Sequence, residues 1–144
     1  MQITSLKYTS AVQSLLLIKY YNKKKIKVTS SVVAAAIGVD ATVLRTTLTS
    51  LNNLGYISAK PGPGGIKAAI EKYTTNLVKL YDDLNGEEKN RKLFSMYDPY
   101  NDGNQQVNIM NKTLSSFFGE SEKEVFKRLE KTTLNDLYEK AFHI

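Results

Sequence analysis

The chain has 144 residues, 42% of them hydrophobic and 24% charged, which is enough to form one domain with a working core. It contains no cysteine, so disulfides, thiol catalysis and cysteine-ligated zinc or iron–sulfur sites are excluded. The only histidine is His143, next to the last residue. The sequence therefore offers almost no side chains for histidine-based acid–base catalysis or metal binding.

The net charge of +6 belongs to the amino-terminal half of the chain. Residues 1–70 hold nine lysines and arginines against one acid, Asp40, a net charge of +8. Residues 71–144 hold eleven basic and thirteen acidic residues, a net charge of −2. A concentrated positive field suits a polyanionic partner, since bound phosphates release counterions. The alternative is that the basic residues serve only solubility and are unevenly distributed between the two halves of the chain by chance.

A first helix is predicted over residues 3–21, with Thr4 or Ser5 as its N-cap. This amino-terminal stretch has a lysine followed by apolar residues, as a signal peptide would. It continues as KYYNKKK, however, and has no small-residue cleavage site. The residues expected on its apolar side are Leu6, Val12, Leu15, Leu16 and Ile18. No apolar run approaches the ~20 residues of a membrane span, so we expect a soluble, cytoplasmic protein with no membrane partner.

Two helices joined by a tight turn are predicted next. Thr29 is the expected N-cap of a short helix ending at Ile37, and Gly38 has the place of a left-handed residue after the helix. Asp40 can then cap the second helix, which Gly55 closes. This order of elements is a helix-turn-helix.

The second of these helices has an apolar face and an unusual polar face. Leu44, Leu48 and Leu51 recur at helical spacing. The opposite face has no acid and consists of Thr42, Arg45, Thr46, Thr49 and Asn53. Solvated faces usually mix Glu and Lys, whereas short hydrogen-bonding side chains let a helix approach the floor of a DNA groove. The residues expected to read bases are Thr42, Arg45, Thr46 and Thr49.

A β-hairpin is predicted directly after this helix, where it would form a wing. Tyr56–Lys60 and Ile66–Ile70 are strand-prone, and the tip Pro61–Gly65 cannot be helical. The glycine-rich tip could also suggest a nucleotide-binding loop, but it lacks the glycine spacings of such phosphate-binding loops, so we discard that hypothesis. Before the helix pair, Ile26 and Val28 alternate with lysine as in a very short strand. The residues expected at phosphates or on the wing are Lys7, Lys27, Thr29, Lys60, Gly62, Gly64, Gly65 and Lys67.

The carboxyl-terminal half predicts three more helices. The first covers residues 75–86, with Leu77, Leu80 and Leu84 in register. Residues 87–104 form a boundary whose apolar side chains, Leu93, Phe94, Met96 and Tyr97, indicate a segment that packs on something. A last short helix begins at Thr133-x-x-Asp136, and its expected apolar residues are Leu134, Leu137, Tyr138 and Phe142.

Between them, a long amphipathic helix is predicted. Gly119 followed by Ser121-x-x-Glu124 has the form of a stop and a new capping box, but the continuing apolar periodicity favours one helix. Such a helix most often packs against a second copy, and the alternative is that it folds back on residues 1–86, which we call the head. The expected dimer interface is Val107, Met110, Leu114, Phe117, Val125 and Leu129.

In order and spacing, these residues resemble the bacterial winged-helix regulators of the Rrf2 family, which includes IscR, NsrR and CymR. The resemblance runs through MQITSLKYTSAVQSLLLI, LNNLGYI, SAKPGPGGIKA, TTNLVKLYDDLNG and KTTLNDLYEKA, and VLR with GPGG is most similar to the YwnA-like branch. It implies a homodimer on an imperfect palindrome, with Ala41–Leu54 as recognition helix, Lys60–Lys67 as wing and about Gln105–Lys131 as dimer helix. Where cluster-binding members carry three cysteines this chain reads SMYDPYNDGNQQ, which implies no iron–sulfur cluster and no thiol-based signal.

We therefore predict a mainly α fold with a small β-hairpin wing. Residues 1–86 are the winged helix-turn-helix DNA-binding domain, 87–104 a connecting segment and 105–144 a helical dimerisation region. The predicted function is that of a dimeric transcriptional repressor that reads a pseudo-palindromic operator without cofactor or metal. Its partners are double-stranded DNA and a second copy, and the identity of any effector stays open.

Two other classes of function are compatible with a chain of this kind. A winged-helix protein–protein interaction module would show little salt-dependent affinity for DNA. An enzyme is the weakest reading, because no nucleophile has a histidine or cysteine partner. The paired acids Asp82 and Asp83, and Glu87 and Glu88, look like solvated charges at helix ends rather than a catalytic pair.

Overall fold

The computed structural model describes residues 5–59, 65–86, 91–96 and 104–142. These residues form six α-helices, one 3-10 helix and a two-stranded antiparallel sheet, so the predicted mainly α fold with a small hairpin is confirmed. The elements are α1 Leu6–Lys23, α2 Ser30–Ile37, α3 Ala41–Asn53, β1 Ile57–Ser58, β2 Lys67–Ala68, the 3-10 helix Ile70–Thr74, α4 Leu77–Asn85, α5 Gln105–Glu130 and α6 Leu134–Ala141.

The N-cap of α1 is Ser5, whose hydroxyl accepts the Tyr8 N–H at 3.3 Å. Its buried stripe recurs at helical spacing and consists of Tyr8, Ala11, Leu15 and Ile18, with Ser14 beside it. The prediction that Leu6 belongs to the apolar side is wrong, because Leu6 points away from this stripe and is 85% exposed.

The predicted helix-turn-helix is confirmed together with its caps. Thr29 accepts the Val32 N–H at 3.1 Å, and Gly38 has the left-handed conformation, with φ of +84°. Asp40 accepts the Thr42 N–H at 2.8 Å. After α3, the N–H of Tyr56 bonds the Leu51 carbonyl at 3.0 Å, which is the Schellman closure expected where glycine follows a helix.

The hairpin is shorter than predicted. β1 and β2 pair Ile57 with Ala68 and Ser58 with Lys67. Ile70 was predicted to end the second strand and instead begins the 3-10 helix, because the last hairpin bond runs from the Ala69 N–H to the Tyr56 carbonyl and the chain then turns. The predicted strand at Ile26 and Val28 is a single parallel bridge between Val28 and Gly65.

One hydrophobic core joins α1, α2, α3, the hairpin, α4 and α6. Its tyrosines are anchored by their hydroxyls: Tyr8 donates to the Leu77 carbonyl at 2.7 Å and Tyr73 donates to the Leu15 carbonyl at 2.6 Å. Burial raises the pKa of both hydroxyls above the ordinary value for tyrosine. These bonds tie α1 to the 3-10 helix and to α4 in a fixed arrangement behind the helix-turn-helix.

The two carboxyl-terminal helices are α5, which is long and continuous, and α6, which packs against the head. α5 is continuous through Gly119, where the Ser121 hydroxyl donates to the Phe117 carbonyl within the helix instead of capping a new one. α6 begins with the predicted capping box of Thr133 and Asp136. It then packs against α1 and the 3-10 helix and places Leu134 in the core of the head.

Residues 91–96 lie along α5, as their apolar content predicts. The Phe94 ring stacks on Phe118 with 4.6 Å between ring centroids, and the N–H groups of Leu93 and Phe94 both donate to the Glu122 carboxylate. Arg91 forms an ion pair with Asp82 of α4. The fourth predicted member of this apolar group, Tyr97, lies outside the described residues.

In the described part of the chain, no single helix is long and apolar enough to cross a membrane. α2 and α3 together meet that test of length and composition, but they are bent by 116° at the turn between them. Their buried apolar residues belong to the core of the head.

Candidate nucleic-acid interface

The outer face of α3 is the most distinctive exposed surface of the head. Leu44, Leu48 and Leu51 are buried in the core, as their spacing predicts. All four predicted base readers are exposed, namely Thr42, Arg45, Thr46 and Thr49. Because the helix contains no acidic residue, this face offers hydroxyls, amides and one guanidinium without a competing negative charge.

Arg45 is oriented by a neighbouring helix. Its Nε donates to the hydroxyl of Ser30, the first residue of α2, at 3.3 Å. This bond uses one of the five N–H donors of the guanidinium, which has two further nitrogens for a bidentate contact. Ser30 was not among the residues singled out from the sequence, because nothing local in the sequence shows that α2 begins beside Arg45.

An open cleft of about 530 Å³ separates α3 from the base of the wing. It brings together five of the predicted site residues, Lys27, Thr29, Arg45, Thr49 and Gly65. The predicted residues Thr42, Thr46, Lys7 and Lys67 are exposed but do not line this cleft. The predicted wing-tip residues Lys60, Gly62 and Gly64 lie outside the described residues.

Gly65 sets how closely the wing approaches the body of the head. Its φ is +71°, and a Cβ atom at this position would lie 2.0 Å from the Val28 carbonyl oxygen. That oxygen accepts the Ile66 N–H at 2.9 Å. A side chain at Gly65 is therefore incompatible with this bond, which holds one wall of the cleft.

Two asparagines, neither of them identified as wing anchors from the sequence, position the hairpin. Asn22 at the end of α1 donates from Nδ2 to the Ile66 carbonyl at 3.0 Å and accepts the Ala68 N–H at 2.7 Å. Asn52 of α3 accepts the Ala59 N–H at 3.2 Å. No local signal identifies Asn22, since its partners are more than forty positions away in the chain.

The basic loop after α1 has an unusual backbone. Lys25 has a φ of +60° and is the one non-glycine residue with positive φ in the described part of the chain. The Ile26 N–H bonds the Tyr21 carbonyl at 2.9 Å, so Lys25 has the helix-closing position that glycine usually fills. The consecutive lysines Lys23, Lys24 and Lys25 are all exposed, together with Lys27.

The long helix presents apolar side chains to solvent. None of the 26 residues of α5 is buried. Its most exposed large apolar residues are Ile109 at 65% and Phe117 at 63%, followed by Met110. Of the predicted interface, Val107, Met110, Leu114, Phe117 and Val125 are exposed, whereas Leu129 packs against the core of the head. Ile109 was missed because it lies beside the predicted apolar seam.

A family model described as "Iron-dependent Transcriptional regulator" matches residues 4–140. The chain belongs to the Rrf2 family. Members of this family are DNA-binding transcriptional regulators and not enzymes, so both the predicted resemblance and the exclusion of an enzyme are confirmed.

Solved structures share the fold of this Rrf2 protein at low sequence identity. IscR of T. potens has a TM-score of 0.68 and 18% identity, with 97% of this chain and 88% of that chain covered. CymR, the global cysteine regulator of B. subtilis, has a TM-score of 0.62 and 15% identity, with 93% and 94% covered. A comparison with curated protein sequences gave no match.

The iron in the family description does not fit the side chains of this member. A cysteine-held iron–sulfur cluster needs thiolate ligands, and the full sequence has no cysteine and one histidine. Among the residues that the structure describes, no group of three His, Asp or Glu side chains could hold a metal ion. The chain therefore has no ligands for a cysteine-held iron–sulfur cluster.

Proposed function

We propose that this Rrf2 protein is a cytoplasmic, dimeric transcriptional repressor that reads a pseudo-palindromic operator with α3 and occludes a promoter. The observation that carries the proposal is the acid-free outer face of α3, beside a cleft that continues to the wing. The first residues of a recognition helix reach base edges in the major groove, and these are Thr42, Arg45 and Thr46. Thr49 lies one turn further along the same face.

The phosphate contacts follow from the same geometry. Lys27 and Thr29 stand on one wall of the cleft and Gly65 on the wing side. Thr29 caps the N-terminus of α2, where N–H groups without a partner inside the helix suit a phosphate oxygen. Lys67 on β2 and Lys7 on α1 are exposed, and we infer that they are further phosphate contacts. These contacts fix the register of the protein on the duplex without selecting its sequence.

The dimer is proposed from the exposed apolar face of α5. Ile109, Met110 and Phe117 together leave a large apolar surface in water, which costs free energy in proportion to its area. A second copy of the same helix would cover this surface through a two-fold symmetric interface, in which both copies use the same surface patch. Two α3 helices would then read half-sites one helical turn of DNA, or a multiple of it, apart.

Regulation of this dimer needs a signal other than a cysteine-held iron–sulfur cluster or thiol oxidation. Since the chain has no cysteine, the occupancy of the operator is set by a ligand, by a partner protein or by the amount of protein present. A repressor of this kind acts by excluding polymerase from the promoter that overlaps its site.

The test is selection of genomic fragments by the purified full chain, followed by anisotropy titration of the selected duplex at several salt concentrations. We expect a symmetric site, and a steep loss of affinity with salt because lysine contacts displace counterions. A selected pool without a shared motif, together with salt-independent binding, would instead favour the protein-interaction reading. Light scattering at micromolar concentration must show a dimer, and a reporter fused to the selected promoter must rise when the protein is removed.

A further inference from the structure

The first turn of α3 exposes a valine that the apolar stripe of the helix does not use. Val43 is 66% exposed, although its neighbour Leu44 is buried. A single exposed apolar residue is ordinary on a protein surface, so exposure alone says little about Val43. β-branched residues are also poorer helix formers than Glu or Lys, and stability therefore gives no reason for valine at this place.

Val43 lies on one flank of the proposed reading face. The helical repeat places Val43, Thr46 and Ser50 along the same side of α3. The Ser50 hydroxyl donates to the Thr46 carbonyl at 3.2 Å, so its proton is engaged within the helix. What this flank offers a partner is chiefly methyl groups.

The opposite flank of α3 is polar and faces the wing. Arg45 lies there with its bond to Ser30, and Asn52 lies there with its bond to the Ala59 N–H. The reading face is thus divided along its length into a hydrogen-bonding side next to the wing and an apolar side away from it. Because the two flanks lie on opposite sides of the helix, we expect them to meet different base pairs.

We propose that Val43 is a specificity-determining residue that recognises the 5-methyl group of a thymine in the major groove. This inference rests on the proposed function, since it requires α3 to enter the groove. Among the DNA bases thymine alone presents a methyl group there, and apolar side chains contact it. The charge of +8 on residues 1–70 commits the occupant to nucleic acid rather than to an apolar protein surface. A β-branched side chain also has few rotamers to lose on contact.

The experiment uses the duplex selected by the full-length wild-type protein, resynthesised with each thymine replaced in turn by uracil. This replacement removes only the 5-methyl group. We expect one position in each half-site at which uracil weakens wild-type binding about fourfold, the effect of one methyl group left in water. Val43→Ala is expected to bind the thymine and uracil duplexes equally at that position. This position must differ from the base pair at which Arg45→Ala loses discrimination.

Two controls keep the result interpretable. Alanine is the better helix former, so Val43→Ala must retain the wild-type melting temperature or exceed it. Ile70→Ala removes a side chain of nearly equal exposure, 62%, from the 3-10 helix and must preserve the sensitivity to uracil.

The outcomes separate this inference from the function on which it rests. Wild-type protein that binds the selected duplex tightly but ignores every uracil replacement would overturn the role of Val43 and leave DNA binding standing. The same follows if Val43→Ala keeps the full sensitivity, since the methyl groups of Thr42 or Thr46 would then be the readers. Failure of the wild-type protein to select any sequence would overturn both proposals.

Discussion

The replacement Gly65→Ala tests how the wing is attached to the head. In the structure the added Cβ atom would lie 2.0 Å from the oxygen and 3.0 Å from the carbon of the Val28 carbonyl. The backbone of Val28 and that of residue 65 must therefore move apart. Residue 65 also has a φ of +71°, which is unfavourable for alanine whatever the space around it.

The two costs can be added as orders of magnitude. The left-handed conformation costs about 1 kcal/mol for a residue with a Cβ atom. Loss of the bond from the Ile66 N–H to the Val28 carbonyl costs about 0.5–1.5 kcal/mol, and more if the carbonyl stays buried without a partner. We expect Gly65→Ala to lower the free energy of unfolding by about 1.5–2.5 kcal/mol, and by more if the Val28 carbonyl is left without a partner.

Gly38→Ala is the matched control because Gly38 has a φ of +84° but no atom within 4 Å of the added Cβ. It should lose only the conformational part, about 1 kcal/mol. Urea unfolding of both variants gives the difference between them. Equal losses of stability would refute the close approach of the wing to Val28. Because Gly65 lines the cleft, its variant should also bind the selected duplex more weakly. This binding is measured at a temperature at which both the variant and the wild-type protein are fully folded.

Three further substitutions test other parts of the molecule. Arg45→Ala should lose ~1–3 kcal/mol of discrimination between bases at one base pair. Arg45→Lys should restore the overall affinity without that discrimination, because lysine lacks the planar guanidinium that contacts guanine in a bidentate manner. If anisotropy titrations show an unchanged base preference for both variants, Arg45 is not one of the base-reading residues. Phe117→Glu should convert the dimer to a monomer in light scattering while Ile70→Glu does not, and a Phe117→Glu dimer would rule out the proposed α5 interface. Lys25→Gly should raise the free energy of unfolding by about 1 kcal/mol in urea unfolding, since glycine adopts the left-handed conformation of residue 25 without strain; lower stability would show that Lys25 is not left-handed in solution.

The sequence was most informative where structure depends on neighbours three or four residues apart. The caps at Thr29 and Asp40, the left-handed Gly38 and the closure after α3 all use bonds between near neighbours, and all were predicted. The two faces of α3 followed from periodicity for the same reason. The course of α5 through Gly119 was also predicted from spacing.

The prediction failed where distant contacts override local preference. Ile70 is β-branched and strand-prone, but the hairpin ends before it. Leu6 is apolar but lies off the stripe that α1 buries. The cleft depends on the approach of Gly65 to Val28 and on the bonds of Asn22 to the hairpin, and no pattern along the chain encodes either contact. Val43 was not among the predicted readers, and its 66% exposure at the edge of the reading face is visible only in the structure.

The return of α6 to the head bears on how the protein could carry a signal. The Leu134 N–H bonds the Thr75 carbonyl at 3.0 Å, and the Leu77 N–H bonds the Thr132 carbonyl at 2.9 Å, so the end of α5 is joined directly to the start of α4. A second joint is the ion pair of Arg91 with Asp82, together with the bonds of residues 93 and 94 to Glu122. The division into a reading domain at 1–86 and a dimerisation region at 105–144 stays a prediction, and these contacts argue that the two share a core. A displacement of α5 in a dimer would then reach α4 through both joints, without a cysteine-held cluster between them.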